Sequence, residues 1–148
     1  MWDRADGGFF TLVDRRGEPL EQGRKHLHGH TYALQAFIDL APVIGEPAAR
    51  QWARRTFDWL EAVAWDHENG GYWGYYHRDN RAILRHELSR DAPMDWLGTP
   101  IGLKDLNVVG DALGAITALA ACGWDERAQM RLDWHVRHFL DRLVVSSN

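Results

Sequence analysis

The chain has a single cysteine, Cys122, so no disulfide framework is available, and a reducing cytoplasm is the expected compartment. Long apolar runs are missing as well. Nothing approaches the ~20 residues that span a bilayer, and the opening residues lack the charged-then-apolar pattern of a secretory leader. No membrane partner is therefore expected. Basic residues number 17 against 21 acidic ones, for a net charge of −4, and the arginines are scattered rather than gathered in a stripe. Nucleic acid is accordingly not an expected partner. Metal ligation has one thin lead, since His26 and His30 stand four residues apart and such a pair on a helix can chelate. No third ligand stands at a telling spacing, so no metal or cofactor is expected.

What the chain has in plenty is aromatic rings: eight Trp, four Tyr and five Phe in 148 residues. Large rings dominate core energetics, so any one of them reads first as packing between helices. They also read as platforms for sugar faces, whose C–H groups pack against rings. With 45% apolar residues, a chain of this length suits one domain with one core.

A motif occurs twice. Trp2-Asp3, Gly7-Gly8 and Phe9-Phe10 recur as Trp65-Asp66, Gly70-Gly71 and Tyr72-Trp73, 63 residues on at every matched position. Lys25, Leu27, Ala33, Leu34 and Ala36 recur 79 residues on as Lys104, Leu106, Ala112, Leu113 and Ala115. Trp52 and Phe57 recur 82 residues on as Trp134 and Phe139. Self-similarity on this scale is the mark of a repeat architecture, and it predicts one unit over residues 2–64 and a second over 65–144. The second carries the longer loop.

Each unit reads as a turn and short strand followed by two helices. Phe9 to Val13 is β-prone, and Asp14 to Gly17 makes a turn. Helical spacing predicts a first helix from about His26 to Val43. A second begins near Pro47 and runs to about Ala64, burying Trp52, Ala53, Phe57, Leu60 and Val63. The stretch from Gly74 to Gly102 has few helical signals; unstructured connections beyond ~12–15 residues are usually functional. It holds Tyr75, Tyr76, His77, His86 and Trp96. A third helix is predicted from about Leu106 to Ala121, burying Leu106, Val109, Leu113, Ile116 and Leu119, with Gly123 ending it. Asp125 then caps a fourth helix to about Val144, burying Met130, Trp134, Phe139 and Leu143. A helical hairpin cannot bury both faces, so two units leave two flanks for a homodimer or a larger assembly to cover.

Taken in order, Trp-Asp-x3-Gly-Gly with two aromatics, Lys25-His26-x5-Tyr32-Ala33 and Lys104-Asp105-Leu106-Asn107 with the Gly110–Ala115 pattern resemble the N-acylglucosamine 2-epimerase family, which includes the cellobiose 2-epimerases. The resemblance covers essentially the whole chain, which would make the middle third of a family member. It implies an all-α fold, part of an (α/α)6 toroid of helical hairpins with short β-hairpins at the end where a sugar-binding funnel opens. It also implies a carbohydrate epimerase or isomerase acting at C2 of a reducing sugar without a cofactor. In that chemistry one His removes the C2 proton, an enediolate forms, a second His returns the proton from the opposite face, and a Glu tunes one imidazole. Histidine suits the task because its pKa lies near neutrality.

Carried over residue by residue, the family's His and Glu after the Lys-x-x-Asn motif fall on Asp111 and Gly114. The second catalytic His belongs to a part of the family fold downstream of this chain. His26, Lys104 and Asn107 match. The expected catalytic pair is thus Asp111 and His26, with His30, Tyr32, Trp73, Tyr75, Trp96, Lys104 and Asn107 lining the sugar site. Tyr32 and Asp111 occupy equivalent positions after Lys25 and Lys104, so both are expected to face one funnel. His28 is expected to point away, and His135 and His138 to lie exposed or at a boundary. Asp3 and Asp66 read as turn-stabilising residues. Two other readings stand beside the epimerase: a sugar- or protein-binding fragment without turnover, and a toroid-fold inverting glycoside hydrolase with paired carboxylates.

Overall fold

The computed structural model describes residues 1–84 and 101–139. Five helices carry the fold: α1 (Leu27–Asp39), α2 (Ala41–Ile44), α3 (Glu46–Trp59), α4 (Leu106–Cys122) and α5 (described over Glu126–Phe139). The helix predicted from His26 to Val43 is interrupted at Leu40, because Pro42 has no N–H to give to the preceding turn. Gly45, at φ +86°, turns the chain into α3. After Trp59 the chain winds one π turn over Leu60–Ala64, with Trp65 N–H donating to the Leu60 carbonyl at 2.9 Å. Asp105 caps α4 by accepting from Val108 N at 3.1 Å, and Gly123, at φ +64°, closes its other end.

Helix α1 packs on α3 and α4, and α4 packs on α5. Leu27, Leu34, Phe57, Leu60, Ile116 and Leu119 are fully enclosed between them. Two buried positions predicted for the helices are instead exposed. Leu106 is 66% exposed because the first turn of α4 borders an open hollow of about 250 Å³ beside Gly70, Gly71 and Trp134. Met130 is 64% exposed because the inward stripe of α5 runs through Ala128 and His135. His135, expected near the surface, is therefore buried at 1% exposure. The side chains of Phe139 and Leu143 lie outside the described residues.

Regular β structure is limited to β1 (Lys25–His26) and β2 (Tyr75–Tyr76), which pair antiparallel with His26 opposite Tyr75. Isolated bridges from Phe10 to Lys25 and from Tyr76 to Ala82 extend this ladder on both sides. The continuous strand expected over Phe9 to Val13 does not form; its residues make single bridges to three different partners. The aromatic rings mostly pack the interior. Trp2 meets Trp52 edge-on at 5.8 Å, and Trp65 meets Trp134 edge-on at 4.7 Å, so the rings at matching sequence positions make matching contacts.

Both Trp-Asp turns are closed by the same set of bonds. Asp3 N–H donates to Gly8 O at 2.7 Å and Gly7 N–H to Asp3 O at 3.0 Å; Asp66 with Gly71 and Gly70 with Asp66 repeat the pattern at 2.8 Å each. The Asp3 carboxylate accepts Ala5 N at 3.0 Å and lies 3.2 Å from the Lys25 ammonium. Asp66 accepts from Glu68 N at 3.0 Å and from Lys104 Nζ at 2.5 Å. Each turn is thus pinned by the lysine that precedes the next helix.

Candidate functional site

The pinned turns determine what the lysines and histidines can do. Lys25 is fully buried and spends its ammonium on Asp3, on the Arg78 carbonyl at 2.6 Å and on Asn80 Oδ1 at 2.8 Å. Burial lowers its pKa, and the Asp3 carboxylate only partly offsets that. Burial alone would raise the Asp3 carboxyl, but the Ala5 amide and the Lys25 ammonium outweigh it and hold the group below the usual range. Asp66 follows the same logic: desolvation is overcome by Lys104 and by the Asn69 and Glu68 amides, and its pKa falls to about 2. Asp3 and Asp66 are therefore ionised turn anchors, as the Asx reading expects.

His30 was expected to line the funnel and does not. It is fully buried, with Nδ1 2.8 Å from the His26 carbonyl and Nε2 accepting Phe9 N–H at 2.7 Å. Its ring stacks on Trp59 at 3.8 Å. Desolvation lowers its pKa to about 3, so it is a neutral imidazole joining α1 to the first turn. The error has a definite cause. His26 is the N-cap of α1, with φ −131° and ψ 133°, so the helical i, i+4 rule that pairs it with His30 does not apply.

The ring near His26 belongs to His28. The two imidazoles stack at 5.6 Å, 20° from parallel, and the opposite side of His26 carries Tyr75 at 4.1 Å and 8°. Tyr32, 56% exposed, meets the His28 ring edge-on at 4.4 Å. From α4, Asp111 brings an Oδ2 against His28 Nδ1, an ion pair with both side chains about one-fifth to one-quarter exposed. Tyr32 and Asp111 thus meet the same imidazole from two helices. His28 and His26 also border a hollow of about 460 Å³ with Phe9, Phe10 and Leu12.

The other sequence candidates lie elsewhere or apart from this cluster. Lys104 donates to Gly70 O at 2.6 Å as well as to Asp66, and its ammonium stands 4.6 Å over the half-buried Trp73 ring. Asn107 is exposed on the first turn of α4. Trp96 falls outside the described residues, as does His86. Sequence reasoning missed His28, although a signal existed: residues 28 and 32 share one face of α1, as 107 and 111 share one face of α4. Neighbouring helices of a hairpin stack bring such faces together.

Among the described residues, no group of three or more His, Cys, Asp or Glu is placed to hold a metal ion, and no helix is long and apolar enough to cross a membrane. Chemically, the cluster offers an imidazole whose Nδ1–H is held by a carboxylate, beside aromatic faces, at the border of an open hollow. Such a group moves protons.

Comparison with known proteins agrees with this architecture. The family model described as N-acylglucosamine 2-epimerase (GlcNAc 2-epimerase) matches residues 1–91. Among solved structures, cellobiose 2-epimerase from Spirochaeta thermophila is 27% identical with a TM-score of 0.76, over 94% of this chain and 33% of that one. Cellobiose 2-epimerase from Bacillus thermoamylovorans is 19% identical with a TM-score of 0.77, over 99% of this chain and 36% of that one. A sugar epimerase from a ruminal bacterium is 23% identical with a TM-score of 0.73, over 95% of this chain and 33% of that one. The fold is that of the (α/α)6 toroids, and this chain spans about a third of the length of those relatives.

Proposed function

Because the chain belongs to the N-acylglucosamine 2-epimerase family, we propose that it acts at C2 of a reducing sugar, by proton abstraction through an enediolate. The observation that carries this reading is the meeting of His26, His28, Tyr32 and Asp111 at one hollow of about 460 Å³. C2 of an open-chain aldose is acidic because the C1 carbonyl accepts the electron pair, so the reaction asks for a base near neutrality and a site that stabilises the developing oxyanion. The cluster supplies imidazole and carboxylate; the Tyr75 and Phe10 rings supply apolar faces for the sugar's C–H groups.

The chain's span, a third of its relatives, favours one second reading: a sugar-binding segment that does not turn its ligand over. Incubation with mannose, N-acetylmannosamine or cellobiose in heavy water separates the readings. The epimerase-type reading expects deuterium at C2. Binding without deuterium uptake leaves the non-catalytic segment, and release of reducing ends from cellobiose supports a hydrolase and contradicts both.

A further inference from the structure

Two questions follow from the cluster: which group carries the proton, and to which face of the sugar it returns. Asp111 is the position at which the resemblance sets a catalytic residue, but its Oδ2 is engaged with His28 Nδ1. A carboxylate so placed orients an imidazole and stabilises its protonated form; to act as the base itself it would have to release the ring. The ring is fixed on its other sides by Tyr32 at its edge and His26 on its face. With Nδ1 held, Nε2 is the nitrogen left to take a proton, on a side chain that borders the hollow.

The stack also limits the stereochemistry. Proton transfer from opposite faces needs one group about 3–3.5 Å from each face of a planar enediolate, hence two groups about 6–7 Å apart with the sugar between them. His26 and His28 are stacked at 5.6 Å, nearly parallel, which leaves no room for a sugar between the rings. The remaining face of His26 is covered by Tyr75 at 4.1 Å. Among the described residues, both imidazoles therefore stand on one side of any ligand in the hollow.

From this geometry we infer that His28 is the proton-carrying residue, that Asp111 is its positioning residue, and that the proton moves on one face between C2 and C1, making the chain an aldose–ketose isomerase rather than a two-base epimerase. The inference rests on the C2 reading above and narrows it. In the first step His28 Nε2 takes the C2 proton; the C–H electron pair becomes the C1=C2 bond, and the carbonyl pair moves to O1. In the second step the O2–H pair forms the C2 carbonyl, the C1=C2 pair takes the proton from Nε2 at C1, and the O2 proton ends on O1. Nothing is oxidised overall and no co-reactant is consumed.

The test uses the full chain with mannose deuterated at C2, in ordinary water, with products followed by proton and deuterium NMR. The expected product is the ketose, with part of the label carried to C1 and no early glucose. His28→Gln is expected to lower kcat by about 10²–10⁴-fold. Asp111→Asn is expected to lower kcat at least tenfold with KM little changed, and Asp111→Glu to recover part of the loss. Urea midpoints of the variants confirm folding; the wild-type product and its label remain decisive even where a variant unfolds. Glucose as the first product overturns the one-face path. Wild-type turnover in His28→Gln, or an Asp111→Asn defect confined to KM, overturns the dyad. Absence of any label loss with the wild-type chain overturns the C2 reading itself and the inference with it, an outcome distinct from the other two.

Discussion

Lowering the pH from 7 to 5 should destabilise this protein well before its carboxylates are protonated. His30 and His135 are buried at 0% and 1% exposure, and desolvation lowers their pKa values to about 3 and about 4. For His135 the nearby Arg131 guanidinium adds to the effect. Both values are depressed below the ordinary 6.5, so the unfolded chain binds these protons first. The associated stability is fully present above about pH 6.5 and is lost as the pH falls toward the folded values. At pH 5 each imidazole is about 1.5 units below its unfolded pKa, a loss of about 2 kcal/mol each at 1.36 kcal/mol per unit, or about 4 kcal/mol together. That is a large share of a typical stability of about 5–15 kcal/mol. Urea titration reads it directly: with a slope near ~2 kcal/mol per molar, the midpoint should fall by about 2 M. His135→Leu should halve the pH slope, because it removes one of the two protons and an imidazole whose Nε2 has no hydrogen-bond partner among the described residues. A midpoint unchanged between pH 7 and 5 would refute the reasoning, since it would mean that both rings accept protons inside the fold.

Other perturbations probe the turns that hold the hollow open. An alanine at Gly8 would put a Cβ 2.7 Å from Trp59 Nε1 and 2.9 Å from His30 Nε2, at φ +78°, so Gly8→Ala should cost roughly 2–4 kcal/mol by urea unfolding. Lys25→Met leaves the buried Asp3 carboxylate without its ammonium and should cost about 3–5 kcal/mol, whereas Asp3→Asn combined with Lys25→Met should cost less. Below about pH 4 a second phase of acid destabilisation is expected, because the lowered pKa values of Asp3, Asp66 and Asp125 give stability that is present above the unfolded value near 3.8 and lost as those carboxylates protonate. Acid unfolding followed by circular dichroism should therefore show two pH windows, and a single transition confined below pH 4 would contradict the histidine assignments.

The helices were readable in the sequence because their ends carry backbone-specific residues. Asp105, Gly123 and the Gly45-Glu46-Pro47 stop each act through local geometry, which a sequence states directly. The paired Trp-Asp turns were readable for the same reason, and equal spacing pointed to Trp2 with Trp52 and Trp65 with Trp134 as matching rings. The cluster was harder. The roles of His28 and His30 were inverted because helical phase begins at Leu27, not at the cap His26, and a one-residue change of starting point turns the face by about 100°. Partners across helices were not readable at all: that Asp111 meets His28 rather than Lys104 depends on how α1 and α4 stack. Lys104 is instead taken by Asp66, a contact set by the closing of the second turn. The same limit explains Met130 and His135, where a helical stripe was assigned to the wrong neighbour.

The most direct measurement is a mannose titration of the chain with ¹⁵N-labelled histidine rings, read by ring-nitrogen NMR. The account predicts that the His26 and His28 signals move with sugar while those of His30 and His135 stay fixed, since the former border the hollow and the latter are enclosed by protein. If saturating mannose moves none of these signals, or moves His135 and leaves His28 still, the sugar does not bind where α1 and α4 meet.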